Sequence, residues 1–269
     1  MTAVVTPALA GYLKSMGDAC PHATAAHAAH AHAAHAAAAN NDINADHIDA
    51  DHIDAAELLG EMVARSDYPC LGARSVFRRD AAEIHVLPSM DGSLDALAGA
   101  LRTFGAAHDG SEELASFVTV FREPVPTTEE EFEATLWGVL QRLHDIDEAP
   151  WPADVAQDPD DPRFAFSFAG TPFFIVGLHP WSSRKARRSP LPMMVFNLHR
   201  QFERLRADGQ FERMRTMIRR RDERLQGTVN PMVEDYGTSS AARQYSGRTV
   251  GPQWRAPFQP KETRGVGAR

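Results

Sequence analysis

The spacing of hydrophobic residues along the chain predicts alternating helices and strands. Apolar positions at helical spacing predict helices over 57–65, 93–108 and 127–143, and helices dominate the region over 199–225. Runs rich in β-branched and aromatic residues predict strands over 83–87, 114–122, 163–168, 173–178 and 193–198. Because these elements alternate irregularly, we expect an α+β protein, a single domain with a mixed central sheet flanked by helices.

The N-terminal stretch lacks this patterning. Residues 20–56 combine an Ala/His tract with two copies of an Ala-Asp-His-Ile-Asp repeat, which contain too few apolar residues to build a core. Clustered imidazoles of this kind also bind metals adventitiously. The sequence therefore predicts a disordered His/Ala-rich extension over 1–56, a folded domain over 57–258 and a flexible tail over 259–269.

Composition places the chain among globular proteins, since 43% of its 269 residues are hydrophobic and 24% are charged. No stretch has the roughly 18 consecutive apolar residues of a membrane-spanning helix, and the N-terminus lacks the pattern of a secretory signal. The two cysteines, Cys20 and Cys70, cannot form a disulfide framework. We therefore expect a cytoplasmic protein with no membrane partner.

Charge is distributed unevenly around the net value of −8. Residues 1–178 contain 9 Lys and Arg against 28 Asp and Glu, whereas residues 179–269 contain 19 against 8. The net charge argues against a nucleic-acid partner, although the arginine-rich third keeps that class as an alternative. The asymmetry favours a cation bound by the acidic part and an anion bound by the basic part.

Two histidines directly follow buried apolar runs. His179 follows the run over 173–178, and His199 follows the run over 193–198. Because ligands gather beyond strand ends, both imidazoles are candidates for ligating one metal or cofactor, with His179 ranked first because Pro180 stops its strand. The alternative is that each is a structural histidine at the end of an element.

Arginines cluster between the two histidines. If the segment after Trp181 is a short helix, Arg184, Arg187 and Arg188 share one face and suit paired carboxylates or phosphates. A solvated cationic surface is the alternative. An axial imidazole and cations for the propionates are the groups that a porphyrin requires, so the two clusters together are consistent with a haem site.

Familiar catalytic motifs are absent from the sequence, which contains no GxGxxG, Walker A, HExxH or GxSxG pattern. Cys70, in the sequence Tyr-Pro-Cys-Leu-Gly, is a further candidate as thiolate ligand or nucleophile, although a single cysteine is more often a small buried apolar residue.

Several short motifs, in order over about 57–258, resemble the YqcI/YcgG family. They are Asp67-Tyr68-Pro69-Cys70-Leu71-Gly72-Ala73, Val120-Phe121-Arg122, Asp158-Pro159-Asp160-Asp161-Pro162, Gly177-Leu178-His179-Pro180, Val195-Phe196-Asn197-Leu198-His199, Asn230-Pro231-Met232, Arg243-Gln244-Tyr245-Ser246-Gly247-Arg248 and Trp254-Arg255-Ala256-Pro257-Phe258. The family is also described by paired FPC and CPF motifs. Tyr68 replaces the Phe of the first motif, and Ala256 replaces the Cys of the second.

The resemblance implies a haem-dependent N-oxygenase that hydroxylates a guanidino nitrogen of L-arginine, or of a related basic amino acid, in antibiotic or other small-molecule biosynthesis. It implies haem b, an axial imidazole from His179 or else His199, and dioxygen or peroxide as oxidant. Arg184, Arg187 and Arg188 are then expected to bind the propionates. Carboxylates are expected to bind the substrate guanidinium, and Glu203 and Asp235 are the nearest in sequence.

Other functions remain open at this point. A haem-binding or sensing protein would need the same pocket without turnover, and a non-haem iron oxygenase could use His179, His199 and a carboxylate. A homodimer is expected because most oligomers of soluble proteins are symmetric pairs.

Overall fold

The computed structural model describes residues 45–111, 113–232 and 239–261, with side chains described from residue 55 onward. The chain divides into two units, Met1–Asp51 and His52–Arg269, and the fold below is that of the second. The predicted extension lies mainly outside the described residues, and so do the predicted tail beyond residue 261 and Asp235.

Six helices and five strands make up the described part of the chain. The helices are α1 (Ala45–Ala64), α2 (Leu71–Arg78), α3 (Leu94–Ala107), α4 (Glu129–Ile146), α5 (His199–Ala207) and α6 (Gln210–Gln226). The strands are β1 (Ala82–Ser89), β2 (Ser116–Glu123), β3 (Phe166–Phe168), β4 (Thr171–Leu178) and β5 (Met193–Leu198). Two 3₁₀ turns, Lys185–Arg187 and Ala241–Gln244, follow β4 and α6 respectively.

One mixed sheet organises the fold, with strand order β1-β2-β5-β4-β3. β1 and β2 are parallel and are joined through α3, whereas the β2–β5, β5–β4 and β4–β3 pairs are antiparallel. The α+β class with a mixed sheet is therefore confirmed. Pro88 is tolerated inside β1 because this strand lies at the sheet edge, where a missing N–H costs no ladder bond.

Side chains of the strands point alternately into two apolar cores. In β2, Phe117 and Phe121 pack with α3 and α4 on one face, whereas Val118 and Val120 pack with α1 on the other. Helices therefore cover both faces of the sheet, which explains why consecutive residues of β2 are buried rather than every second one.

Helices differ from the sequence prediction at two places. The first helix begins at Ala45, well before the predicted residue 57, and α2 was not predicted at all. The helical region predicted over 199–225 consists of two helices, α5 and α6, because Gly209 adopts a left-handed conformation (φ 65°) that interrupts the helical backbone.

Gly177 is a close-packing position near the end of β4. A Cβ built there would lie 2.6 Å from Phe132 Cε1, 2.7 Å from Leu136 Cδ1 and 2.9 Å from the Tyr245 carbonyl oxygen. Backbone and core atoms cannot withdraw easily, so only glycine fits.

Replacing Gly177 with alanine is expected to lower the free energy of unfolding by about 2 kcal/mol through overpacking. The matched control is Gly138→Ala on α4, where nothing lies within 4 Å of the new Cβ and helix propensity should add up to about 1 kcal/mol of stability. Urea denaturation measures both variants. Equal stability of the two would contradict the close packing.

The segment after α6 returns over α4, where His144 receives a hydrogen bond. The ring Nε2 of this buried histidine accepts from the Lys261 backbone N–H at 2.9 Å, and Nε2 can accept only when it carries no proton. Burial lowers the pKa of His144 below its ordinary 6.5, with a smaller contribution from the charge of Lys261.

Stability should therefore fall as the pH drops below about 6.5, because the unfolded histidine binds a proton that the folded one rejects. Urea midpoints between pH 7 and pH 5 measure this loss. His144→Gln keeps an acceptor without a titrating ring, and its midpoint should fall less over the same interval. An identical slope in the two proteins would assign the pH dependence to other groups.

Candidate functional site

The two candidate histidines lie at opposite ends of the strands. β4 and β5 are antiparallel, with Leu178 paired to Met193, so His179 follows one end of this pair and His199 the other. At about 3.4 Å per residue, the strands separate them by about 20 Å. The expectation that they converge on one metal or cofactor is wrong, and a non-haem iron centre built from both is excluded.

His179 has an unusual environment for a buried polar side chain. It is fully buried, and neither Nδ1 nor Nε2 has a hydrogen-bond partner within the described residues. Its ring stacks on Phe132 with centroids 4.4 Å apart and an interplanar angle of 22°. Because buried polar atoms are normally paired, an imidazole with two unpaired nitrogens is a candidate for binding a further group.

Burial keeps the imidazole of His179 neutral. Burial lowers the pKa of His179 to about 4, and the carboxylate of Glu129 opposes this while the charge of Arg187 adds to it. The ring is therefore unprotonated at neutral pH, which is the form that can ligate a metal or accept a proton.

Arg187 lies beside this histidine and is held by backbone carbonyls. Its guanidinium donates to the carbonyl oxygens of Gly177 (2.9 Å), Gln244 (3.1 Å) and Tyr245 (3.4 Å), and its own carbonyl accepts from the His179 N–H at 3.1 Å. Burial lowers the pKa of Arg187. Among the described residues it forms no ion pair with a carboxylate, so its charge is free to attract an anion.

Arg184 already has a carboxylate partner. It is buried and pairs with the buried carboxylate of Asp222 on α6, and it also donates to Thr228 at Oγ1 (3.1 Å) and at the carbonyl oxygen (2.9 Å). The Asp222 carboxylate accepts a further bond from the Asn230 N–H at 2.9 Å. The expectation that Arg184 binds an external anion is not supported, since this cation already has its counter-charge.

The predicted arginine face does not form. Only Lys185–Arg187 is helical, as one 3₁₀ turn, and Arg184 and Arg188 on either side have extended backbones. Pro190 follows closely and disfavours helix at the residue before it. Arg188 is exposed and donates from Nε to the Ser182 carbonyl at 2.7 Å, so its terminal nitrogens remain available to a ligand.

His199 and its neighbouring carboxylate satisfy each other. His199 is the first residue of α5, and its Nε2 lies 3.1 Å from Glu203 Oε1 one turn later. Glu203 also pairs with Arg206. Burial lowers the pKa of His199, with Glu203 opposing it. His199 is therefore best explained as a structural histidine at the start of α5. Because Glu203 is already paired, it is no longer a good candidate for binding the substrate guanidinium.

Cys70 lies on the side of the sheet that α1 covers. It is the N-cap of α2, and its Sγ accepts from the Ala73 N–H at 3.4 Å. Burial raises the pKa of the thiol, while backbone N–H groups and Arg187 lower it to a smaller extent. Ala256 packs in the core on the opposite face, so the positions of the two family motifs do not meet.

Three residues around His179 and Arg187 were not predicted from the sequence as site residues. Glu129 Oε1 accepts from the Ser183 N–H and Oγ, both at 2.9 Å, and Phe132 covers the imidazole ring. Tyr68 is buried and interacts electrostatically with Arg187. Glu129 stands in an acidic first helical turn, where a carboxylate is explained by the helix dipole, so the sequence held no separate signal for it.

Two absences bear on the site. In the ranges that the structure covers, no three His, Cys, Asp or Glu side chains are grouped so as to hold a metal ion. No helix there has the length and apolarity to cross a bilayer.

The chain matches one protein-family model and several known proteins. The model of the YqcI/YcgG family matches residues 59–259. "Uncharacterized protein YcgG" of Bacillus subtilis (strain 168) is 31% identical over 191 residues, which cover 68% of this chain and 75% of that protein. YqcI of the same organism is 29% identical over 179 residues, covering 63% and 70%.

A third relative has a name that specifies a reaction. "Putative N(omega)-hydroxy-L-arginine synthase DcsA" of Streptomyces lavendulae is 30% identical over 186 residues, which cover 64% of this chain and 69% of that protein. No solved structure matches the chain significantly. The matched span includes β1 to β5 and both strand-end histidines, and the chain therefore belongs to the YqcI/YcgG family.

Proposed function

We propose that this protein is a haem-dependent N-oxygenase that converts L-arginine, or a related basic amino acid, to its N-hydroxyguanidino form. The observation that carries the proposal is the fully buried His179 imidazole, whose two nitrogens lack partners at the end of β4. The name of the DcsA relative supports the reaction class.

Haem b suits the donors at this end of the sheet. His179 would hold the iron because it is neutral and unpaired. Arg187 and Arg188 would bind the propionates because neither has a carboxylate partner among the described residues, whereas Arg184 is already paired. When bound, haem would supply oxygen activation, with dioxygen and two electrons or with peroxide as oxidant.

Substrate binding needs a carboxylate near His179. Glu129 is half-buried, close enough to His179 to influence its pKa, and oriented by two hydrogen bonds from Ser183. A carboxylate held in this way can accept a guanidinium through two parallel N–H···O bonds. Glu129 therefore replaces Glu203 as the candidate for positioning the guanidino nitrogen.

The test combines a spectrum with a product assay. The purified protein supplied with haem should show a Soret band, and incubation with L-arginine, a reductant and dioxygen should give a product heavier by one oxygen atom in mass spectrometry. A Soret band without product from arginine or other basic amino acids would favour a haem carrier or sensor. Absence of the band after haem supply would refute the cofactor assignment.

A further inference from the structure

A second cationic site lies on the outer face of α2. Leu71, Arg74, Ser75 and Arg78 recur at i, i+3, i+4 and i+7, which places them on one side of this helix. Together with Arg79 and with Arg221 of α6, they line a cavity of about 380 Å³. Four guanidinium groups therefore surround one concave space.

These four arginines lack acidic partners. Within the ranges covered by the structure, none of them forms an ion pair with a carboxylate. Arg221 does influence the carboxylate of Asp67, but the pKa of Asp67 is lowered chiefly by Arg65, and Arg221 makes the smallest contribution. Both oxygens of Asp67 are already bound by Arg65, at 3.0 and 2.9 Å. The cavity thus holds excess positive charge.

Backbone carbonyls fix three of the four side chains without neutralising them. Arg74 donates to the Arg65 carbonyl at 3.0 Å, and Arg79 donates to the Leu114 carbonyl at 3.2 Å. Arg221 donates to the Tyr68 carbonyl at 3.0 Å. Side chains oriented in this way lose less conformational entropy when a ligand binds. Their arrangement is therefore that of a preorganised binding site rather than of a solvated surface.

We propose that this cavity binds a compact anion with two linked phosphate groups. A diphosphate has enough oxygens to engage several guanidinium forks at once. Leu71 is the only apolar lining residue, and no aromatic side chain is present to stack on a base. Recognition is therefore through the phosphates, whether the ligand is inorganic diphosphate or the diphosphate part of a larger molecule. None of the six lining residues belongs to the proposed oxygenase site.

Titration calorimetry with inorganic diphosphate tests the proposal. Arg78 makes no hydrogen bond with the described residues, so Arg78→Gln should leave the fold intact, which thermal melting verifies. We expect this variant to weaken diphosphate binding about tenfold, the usual scale for losing a charge-assisted contact. The matched control is Arg213→Gln, an exposed position on α6 about 12 Å along the axis from Arg221, and its affinity should stay within twofold.

Two further ligands, ADP and citrate, distinguish recognition of a diphosphate from general attraction of anions. ADP should bind with an affinity similar to that of inorganic diphosphate, because only the phosphates are recognised, and citrate should bind more weakly. Binding of citrate as tight as that of diphosphate, or equal weakening by Arg213→Gln and Arg78→Gln, would indicate a general cationic surface and overturn the proposal. So would ADP binding that is far tighter, or no diphosphate binding at all.

Discussion

Loss of both the Soret band and N-hydroxylation is the expected result of replacing His179 with leucine. Leucine keeps an apolar side chain against Phe132 but removes the imidazole that follows β4. We expect turnover to fall by about 100-fold or more, since losing even an outer partner of a metal ligand costs about 10–100-fold. Absorption spectroscopy and the product assay measure the two effects.

His199→Leu is the matched control, because it removes a buried imidazole about 20 Å away. This variant should retain the band and the product, with some loss of stability where the contact to Glu203 is broken. If His199→Leu loses the band and His179→Leu does not, the assignment of the axial ligand is wrong. A strongly red-shifted Soret band of the ferrous–CO complex would instead point to Cys70 thiolate.

Asp222→Asn is expected to lower the free energy of unfolding by about 3–5 kcal/mol. The change leaves the Arg184 guanidinium buried without its counter-charge, which is the costly way to break a buried ion pair. The pair links the loop after β4 to α6, so the change should also disturb the proposed haem site. Urea denaturation of the protein without haem measures the change in the free energy of unfolding.

Two comparisons make this prediction specific. The double change Arg184→Met with Asp222→Leu removes both charges and should recover most of the lost stability. Asp109→Asn breaks an exposed pair with Arg200, 3.2 Å apart, and should cost less than about 1 kcal/mol. If Arg184→Met alone leaves stability unchanged while abolishing haem binding, Arg184 contacts the cofactor rather than supporting the loop.

Elements with strong local signals were predicted well. The helix predicted over 127–143 is α4, whose N-cap Thr128 accepts at Oγ1 from the Glu131 N–H at 3.1 Å. The strand runs that became β4 and β5 were found almost to the residue. The helix α2 was missed because it has only eight residues, too few for the apolar spacing of Ala73, Val76 and Phe77 to stand out as helical.

The candidate site was predicted less completely. The prediction that His179 follows a buried strand was correct. An apolar run in the sequence does not show in which direction the strand runs in the sheet, and this direction decides whether the ends of two strands lie close together. Arg184 and Arg187 are three residues apart in sequence, yet one turns toward α6 and the other toward Gly177 and Tyr245. Long side chains can reach partners in any direction, so local spacing cannot choose between them.

The sequence by itself determined the fold class, the main helices and strands, the family, and the two residue types, imidazole and guanidinium, from which the site is built. Only the tertiary structure decided that β4 and β5 run in opposite directions, that Asp222 neutralises Arg184, and that His179 is buried with both nitrogens unpaired. The reason is physical. Element type follows from local backbone and hydrophobic preferences, whereas strand direction, ion pairing and burial depend on contacts between residues far apart in the chain.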